Sequence, residues 1–201
     1  MASDTYDFST DTLADFLIST GAWEIDSGGA RADFPFSEVN LARINTTVNT
    51  YTAVQEATAT IGSIGNHDQV GPAVLLDASG NGYAAIADTD QLRLIRYDAG
   101  VLTALQSVGS LTNAADDTIR LTVDASGNLR VYYNDVLQTA LNDTDTTYTS
   151  GQPGMAYQWG NNRGSRISDL TATDEGGSST PKRLVGSPLT NSFLTDTPLV
   201  A

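Results

Sequence analysis

The sequence predicts an all-β protein, an antiparallel two-sheet sandwich of the jelly-roll type with an extended C-terminal arm. Three observations lead to this prediction. Apolar and polar residues alternate in short segments such as TIRLTV at 118–123 and NLRVYY at 128–133, the period of a half-buried strand. Turn-forming residues separate these segments at roughly ten-residue spacing, which leaves no room for crossover helices. Asp exceeds Glu, and Thr, Gly, Ser and Asn are abundant, a composition that favours strands and turns over helices.

The N-terminal third predicts several strands. Thr5 to Phe8 is a candidate first strand, and Leu13 to Ile18 could form a single helical turn. The segment GAWEIDSGGARADF predicts a hairpin with Gly28 and Gly29 in its turn, and VNLARI at 39–44 predicts a further strand. Tyr51 to Thr60, YTAVQEATAT, has one face of small residues. Such a strand packs under a partner sheet or lines the floor of a groove, and its period does not distinguish the two.

The middle of the chain predicts a meander. The segments GPAVLLD, GYAAIAD, QLRLIRYD and VLTALQSVG follow one another with short turns between them, and Leu92 and Leu94 would face inward. Later segments predict strands that begin at Thr118, Leu129, Gly154 and Ser165, the last ending near Asp174. The expected organisation is a sandwich domain at 1–174, a flexible Gly-Ser linker at 175–180 and the arm at 181–201.

The pentapeptide DASGN occurs twice, at 77–81 and at 124–128. Alternating Asp and Asn oxygens could begin a calcium-binding loop, but neither copy has the Glu that closes an EF-hand loop. A tight turn with Gly80 and Gly127 at positive φ explains both copies. We therefore expect no cofactor, with calcium as the less favoured alternative.

Composition excludes several functions. The formal charge of −14, from 24 acidic and 10 basic residues, argues against partners that carry phosphate, so neither nucleic acid nor a membrane surface is expected. The absence of cysteine removes disulfides and thiolate metal sites, and the single histidine, His67, removes a multi-histidine site. His67 lies in a Gly-rich loop and is expected to be solvated. The N-terminal sequence MASDTYDFST is not a signal peptide, and no stretch is apolar enough to span a membrane.

The order of features resembles the concanavalin A-like lectin/glucanase superfamily, and within it the laminin-G-like and 3-keto-disaccharide-hydrolase-like modules. The resemblance rests on GNGYAAIADTDQLRLIRYDAG and on DTIRLTVDASGNLRVYYNDVLQTALNDTDTTYTSGQPGMAYQWGN, and it extends from about residue 5 to residue 174. Asn134 and Asp135 stand where those families usually have a glycine-containing turn. The resemblance implies a jelly roll that binds carbohydrate or protein, in some members with calcium, and in some members cleaves glycans.

The resemblance does not extend to the residues that cleave β-glucans. That branch uses a strand with two Glu flanking an Asp, because retaining hydrolysis needs an acid and a nucleophile about 5 Å apart. The four glutamates, Glu24, Glu38, Glu56 and Glu175, do not form such an arrangement. We therefore predict that the protein is not an enzyme. A glycoside hydrolase or lyase that uses Asp residues and His67 is the least favoured hypothesis.

The leading hypothesis from the sequence is a surface component of a bacteriophage particle, such as a capsid decoration, head fibre or tail-associated protein. A virion protein reaches the outside by lysis and needs no signal peptide, and the arm is more apolar than disordered segments usually are. The arm would dock to other virion subunits, with a homo-oligomer expected. The predicted docking residues are Leu184, Val185, Phe193, Leu194 and Leu199.

The alternative hypothesis is a carbohydrate-binding module that recognises glycans, possibly those of a host surface. Sugar rings stack on exposed aromatic rings and form hydrogen bonds with Asn and Arg side chains. Tyr83 and Tyr97 are further candidate rings. A competing interpretation places Tyr157 and Trp159 in the core beside Met155. The predicted ligand-binding residues are Tyr157, Trp159, Asn161, Asn162 and Arg163.

Overall fold

A computed structural model describes residues 2–33, 39–65, 67–158 and 164–174, and nearly all regular structure in these ranges is β. The described strands are β1 (Ser3–Asp7), β2 (Phe16–Thr20), β3 (Trp23–Asp26), β4 (Gly29–Ala32), β5 (Val39–Ile44), β6 (Gln55–Ser63), β7 (Gln69–Leu76), β8 (Gly82–Ala87), β9 (Gln91–Asp98), β10 (Val101–Gly109), β11 (Thr118–Val123), β12 (Asn128–Tyr133), β13 (Val136–Leu137), β14 (Asp143–Thr144), β15 (Gln152–Gln158) and β16 (Arg166–Thr173). Two 3₁₀ turns, Leu13–Asp15 and Thr139–Leu141, complete the described elements.

The strands form two antiparallel sheets that pack as a sandwich. Sheet A has the order β13-β12-β11-β6-β16-β4-β3, with β1 also paired to β16 and β14 to β12. Sheet B has the order β10-β9-β8-β7-β15-β5-β2. Strands that are neighbours in sequence pair in the meander β7 to β10, whereas β6 pairs with β11 and β16 across long sequence separations. This architecture confirms the predicted all-β sandwich.

The main core lies between the two sheets. Side chains at alternate positions of each strand point into it, because successive residues of a strand face opposite sides of the sheet. Small residues on β6 let sheet B approach closely, so the packing alternative predicted for YTAVQEATAT is the one observed. Residues of this core with no exposed surface include Ala57, Ala59, Ile61, Ile119 and Leu121 from sheet A and Val70, Val74, Leu92, Leu94 and Met155 from sheet B.

Sheet B encloses a second apolar cluster on its outer face, the face turned away from sheet A. The sheet coils so strongly that the end of β2 reaches the turns after β7 and β9. The Ser19 hydroxyl donates a hydrogen bond of 2.8 Å to the Asp77 carbonyl, and a Cβ added at Gly80 would be 2.7 Å from the Thr20 methyl group. The members of this cluster are Val39, Leu41, Ala73, Leu76, Ala84, Ile86, Ile95, Tyr97 and Ala156.

Several predicted element boundaries shift in the structure. The first strand begins at Ser3 and ends at Asp7, and the predicted helical turn is a 3₁₀ turn that gives way to β2 at Phe16. The strand predicted from Tyr51 begins at Gln55 instead. The hairpin of β3 and β4 has Ser27 and Gly28 in its turn, so Gly29 already belongs to β4. The predicted linker and arm, at 175–180 and 181–201, lie outside the described residues.

The two DASGN segments form the same turn, one after β7 and one after β11. In the first, the Asp77 carboxylate accepts hydrogen bonds from the Ser79 and Asn81 backbone N–H groups and from the Asn81 side chain, at 2.7, 3.0 and 2.8 Å. In the second, Asp124 accepts the equivalent three bonds at 2.8, 3.0 and 2.7 Å. The glycines have φ of 78° and 77°, as the turn interpretation requires.

Candidate functional site

The aromatic rings proposed as sugar platforms are buried. Tyr157 is 1% exposed and packs edge-on against Trp23 in the core, with ring centroids 6.3 Å apart. Tyr83 and Tyr97 have no exposed surface. We therefore remove Tyr157 from the candidate ligand-binding residues, because a ring enclosed between two sheets cannot stack on a sugar.

The other predicted site residues cannot be placed. Trp159, Asn161, Asn162 and Arg163 lie outside the described residues, as do the docking residues of the arm, Leu184, Val185, Phe193, Leu194 and Leu199. Both groups of residues stay predictions. Within the described ranges, every aromatic side chain is buried or partly buried.

A polar cluster lies on the outer face of sheet B, at the end of β15 that leads to residue 159. Gln158 is in register between Gln69 of β7 and Val39 of β5. The Arg93 guanidinium donates from Nη1 to Gln69 Oε1 at 2.9 Å and to Gln158 Oε1 at 3.4 Å. Gln69 in turn donates to Asp88 Oδ2 at 2.9 Å. These four residues, Gln69, Asp88, Arg93 and Gln158, form what we call the Arg93 cluster.

The Arg93 cluster stands on a rigid base. Asp88 Oδ1 accepts the backbone N–H groups of Asp90 and Gln91, at 3.2 and 3.0 Å, and Asn113 donates to the carbonyls of Asp88 and Gln91. Gln69 and Asp88 are 5% and 7% exposed, so both are fixed in the sheet. Positions held by packing and by supporting hydrogen bonds are the positions from which a ligand can be recognised selectively.

The cluster offers donors and an acceptor surface to a neutral polar ligand. Within the part of the chain that the structure describes, Arg93 makes no ion pair, and its Nε and Nη2 groups make no hydrogen bond. Arginine presents its five donors in a planar fork, and amide oxygens next to it add acceptors. A vicinal pair of hydroxyl groups can satisfy such a surface, since each hydroxyl both donates and accepts.

The alternation of apolar and polar residues in QLRLIRYD predicts the orientation of Arg93. Its side chain must face away from the core, because Leu92 and Leu94 on either side face inward. No sequence pattern predicts that Gln69 and Gln158 lie next to Arg93. Their proximity depends on the pairing of β7 with β15, in which Gln69 and Gln158 are 89 positions apart in the chain. Sequence patterns do not specify such a pairing.

Two carboxylates on β3 are spaced as a glycan-cleaving pair would be, but arginine side chains bind both of them. Glu24 and Asp26 lie two residues apart on β3, the nearest approach among the described strands to the β-glucan-cleaving pattern. Arg31 binds both, at 2.7 and 3.1 Å, and Arg166 binds Asp26 at 2.7 Å. His67 is exposed in its loop, as expected for a solvated histidine. The arginines make Glu24 and Asp26 a structural ion-pair network.

No group of three or more His, Asp or Glu side chains converges as a metal site within the described ranges. In both DASGN turns, the aspartate carboxylate is already occupied by three hydrogen bonds of the turn. The same described ranges contain no helix of the length and apolarity needed to cross a membrane.

Comparisons with solved structures show the fold. The carbohydrate binding module CBM66 from Bacillus subtilis superposes with a TM-score of 0.59 at 12% identity, covering 77% of this chain and 94% of that one. The exoplasmic/lumenal domain of VIP36 gives 0.58 at 14% identity, with 88% and 90% covered. Crh5 transglycosylase gives 0.55 at 11% identity, with 87% and 85% covered. No family model and no curated protein sequence matches the chain. The likenesses are consistent with a concanavalin A-like jelly roll.

Proposed function

We propose that the chain is a non-catalytic carbohydrate-binding module and that the Arg93 cluster is part of its binding surface. The observation that carries this proposal is the Arg93 guanidinium, which is supported by two glutamine side chains and has further donors free within the described residues. The cluster ends at Gln158, and Trp159 follows it directly in the sequence. Trp159 stays the predicted stacking ring of this proposal.

The solved structures support this class of function. One is a carbohydrate binding module, and the VIP36 domain was solved with Ca²⁺ and Man3GlcNAc bound. Crh5 is a transglycosylase, so the same fold also serves catalysis. In this chain, Arg31 and Arg166 neutralise the Glu24 and Asp26 pair on β3, which favours binding over bond cleavage.

A glycan array and a matched pair of variants test the proposal. The wild-type protein is expected to bind at least one neutral glycan, with millimolar or tighter affinity. Arg93→Gln should weaken that binding at least tenfold, because a hydrogen bond from a charged donor contributes about 1.5–3 kcal/mol. Arg130→Gln is the control, since Arg130 is 42% exposed on sheet A and its described ion pair, to Asp124, is long at 3.6 Å.

Two results would contradict the proposal. One is the absence of any glycan binding at millimolar concentration by the wild-type protein. The other is equal affinity of the Arg93→Gln and Arg130→Gln variants for the same glycan, with both variants unfolding at the wild-type temperature.

The bacteriophage hypothesis is a finer proposal that stays a prediction. It requires display of the sandwich on a particle surface and docking of the arm at 181–201 to other virion subunits or to a second copy. The binding proposal does not depend on it, because a lectin-like domain can recognise glycans from any scaffold.

A further inference from the structure

Strand β10 forms a free edge of sheet B. Its backbone pairs with β9 on one side, and no described residue forms a backbone hydrogen bond with its other side. The strand has nine residues, VLTALQSVG, and none of them is charged or a proline. A long, uncharged edge strand presents unpaired N–H and C=O groups with which another chain can pair.

The other described strands at sheet edges are shorter or carry charge. β13 and β14 have two residues each, β3 carries Glu24 and Asp26, and β1 carries Asp4 and Asp7. β2 has five residues, and the Ser19 hydroxyl bonds its end to the turn after β7. Short length and charge are the usual protection of an edge against pairing. Among the described edges, β10 is the long strand that lacks both.

Two exposed valines lie at opposite ends of this edge. Val101 at the start of β10 is 67% exposed and Val136 of β13 is 63% exposed, the highest values among the large hydrophobic side chains of the described ranges. β13 lies toward the far end of β10, because the hydroxyl of Tyr133, the partner of Val136, is 3.2 Å from the Thr112 carbonyl oxygen. Exposed apolar side chains grouped on one surface indicate a contact with another protein.

The shape of β10 favours a second β10 as the partner. A bulge between Ala104 and Gln106 interrupts its register with β9 near the middle of the strand. A regular strand cannot follow such an edge along its whole length, since a bulge disrupts the ladder locally. An identical strand related by a two-fold axis has its own bulge at the same place. The first half of β10 then pairs with the second half of the other copy, and both bulges lie at the axis.

The charge of the chain also favours contact at this strand. Each copy has a formal charge of −14, so two copies repel each other over most of their surfaces. Contact along β10 brings no charged side chain of one strand against a charged side chain of the other, because β10 has none. Repulsion is therefore lowest where the edge is also free to pair.

We propose that β10 is the interface of a symmetric dimer of this chain, in which the two β10 strands pair antiparallel and sheet B continues across the axis. The two-fold axis brings Val101 of each copy toward the β13 end of the other copy. The dimer does not depend on glycan binding. It also places two Arg93 clusters on the same face of one continuous sheet, because Arg93 lies on the strand next to β10.

Sedimentation equilibrium of the full chain tests the dimer. We expect a monomer–dimer equilibrium with a dissociation constant of about 1–100 µM, because one strand pair with apolar ends is a small interface. Raising the salt concentration should tighten the dimer, since salt screens the repulsion between the acidic copies. Amide groups on the outer side of β10 should exchange with deuterium more slowly in the dimer than in the dilute monomer.

Two charged double variants of the full chain test the pairing of the strands. Ala104 and Ser107 are exposed, and they share the outer face of sheet B because they pair with Ile95 and Arg93, two residues apart on β9. The two-fold axis brings Ala104 of one copy near Ser107 of the other. Ala104→Lys with Ser107→Lys, and Ala104→Glu with Ser107→Glu, should each weaken dimerisation at least tenfold, since like charges then face each other.

An equimolar mixture of the two charged variants should dimerise again, because each lysine then meets a glutamate. Thr46→Lys with Thr47→Lys is the control, since both threonines are exposed in the turn after β5 and the added charge is the same. This control should keep the wild-type dissociation constant apart from the effect of two fewer net negative charges, which tightens the dimer. All variants should unfold at about the wild-type temperature.

An arm variant separates this interface from the predicted docking of the arm. Phe193→Asp with Leu194→Asp should leave the β10 dimer intact, and loss of the dimer in this variant would assign the contact to the arm and overturn the proposal. A wild-type chain that stays monomeric at millimolar concentration would also overturn it. So would equal dimerisation of the Ala104→Lys, Ser107→Lys variant and the control, or a mixture of the charged variants that fails to associate.

Discussion

The Asp145 side chain joins the loop before β15 to sheet B through its hydrogen bonds. Its carboxylate accepts hydrogen bonds from the Tyr83 hydroxyl and from Arg96, both at 2.9 Å, and from the Thr147 N–H at 2.8 Å. Partial burial acts to raise the pKa of Asp145, but the hydrogen bonds from Thr147, Arg96 and Tyr83 prevail and lower it to about 2. The loop before β15 is thereby attached to β8 and β9 of sheet B.

The depressed pKa predicts acid sensitivity with a definite sign. Because the folded pKa is below the unfolded value of 3.8, Asp145 stabilises the fold fully above about pH 4. That contribution is lost as the pH falls toward 2. Asp145→Asn should lower the free energy of unfolding at pH 7 by ~1–3 kcal/mol and should flatten its decline between pH 4 and pH 2.

Thermal unfolding followed by circular dichroism across this pH range is the measurement. Asp135→Asn serves as the control, since that side chain is 79% exposed and its described ion pair is 3.6 Å long. An Asp145→Asn variant with the same acid dependence as wild type would show that the hydrogen bonds to Asp145 do not determine the pH response.

Gln55 links two elements of different sheets. It is fully buried on β6, where its Nε2 donates to the carbonyls of Thr52 and Gly151 at 2.8 and 2.9 Å. Its Oε1 accepts the N–H of Leu75, at 2.9 Å, in the irregular end of β7 where Leu75 has a φ of 55°. One amide side chain therefore fixes β6, β7 and the entry to β15 relative to one another.

Replacing Gln55 by Leu should lower the free energy of unfolding on the order of 3 kcal/mol. The apolar side chain fills similar space but leaves the Leu75 N–H and two carbonyls without partners in the interior. Denaturant unfolding measures the loss. Gln106→Leu is the matched control, because Gln106 is only partly buried and makes one 3.3 Å bond to Asp143. Equal destabilisation by the two changes would contradict the role assigned to Gln55.

At the scale of elements, the sequence predicted strands well and their orientation less well. Strands with polar positions, such as β11 and β12, show which side chains face inward. In β7 and β8, every residue is buried, because the coiled sheet B has an apolar cluster on each face. Without a contrast in polarity, the pattern could not show that Tyr83 of β8 is enclosed.

At the scale of the whole molecule, the described residues form one two-sheet sandwich with two apolar clusters. All sixteen described strands and both apolar clusters belong to residues 2–174. Leu184, Val185, Phe193, Leu194 and Leu199 lie outside the described residues, and their docking to other subunits stays a prediction. The predicted division at Glu175 rests on sequence composition, which indicates a Gly-Ser linker after the last strand.

Deleting residues 176–201 should change the free energy of unfolding by less than about 0.5 kcal/mol, because the sequence predicts that the sandwich domain ends at 174 and that the arm follows a flexible linker. If the arm docks to other subunits, the full chain should sediment as an oligomer or join a particle, and the truncated chain as a monomer. A truncated chain that still assembles would refute the arm hypothesis, and one that unfolds would show that the arm contributes to the domain core.

The two ends of the described domain are bonded to each other. The Ala2 N–H donates to Asp174 Oδ1 at 2.9 Å, the Asp174 N–H donates to the Ala2 carbonyl at 3.2 Å, and Ser3 pairs with Thr173 in the first rung of β1 and β16. A force that pulled these ends apart would load the rungs one at a time, from the outermost inward, like a zipper. β1 should therefore peel from the sheet under tension far too small to shear the remaining sandwich.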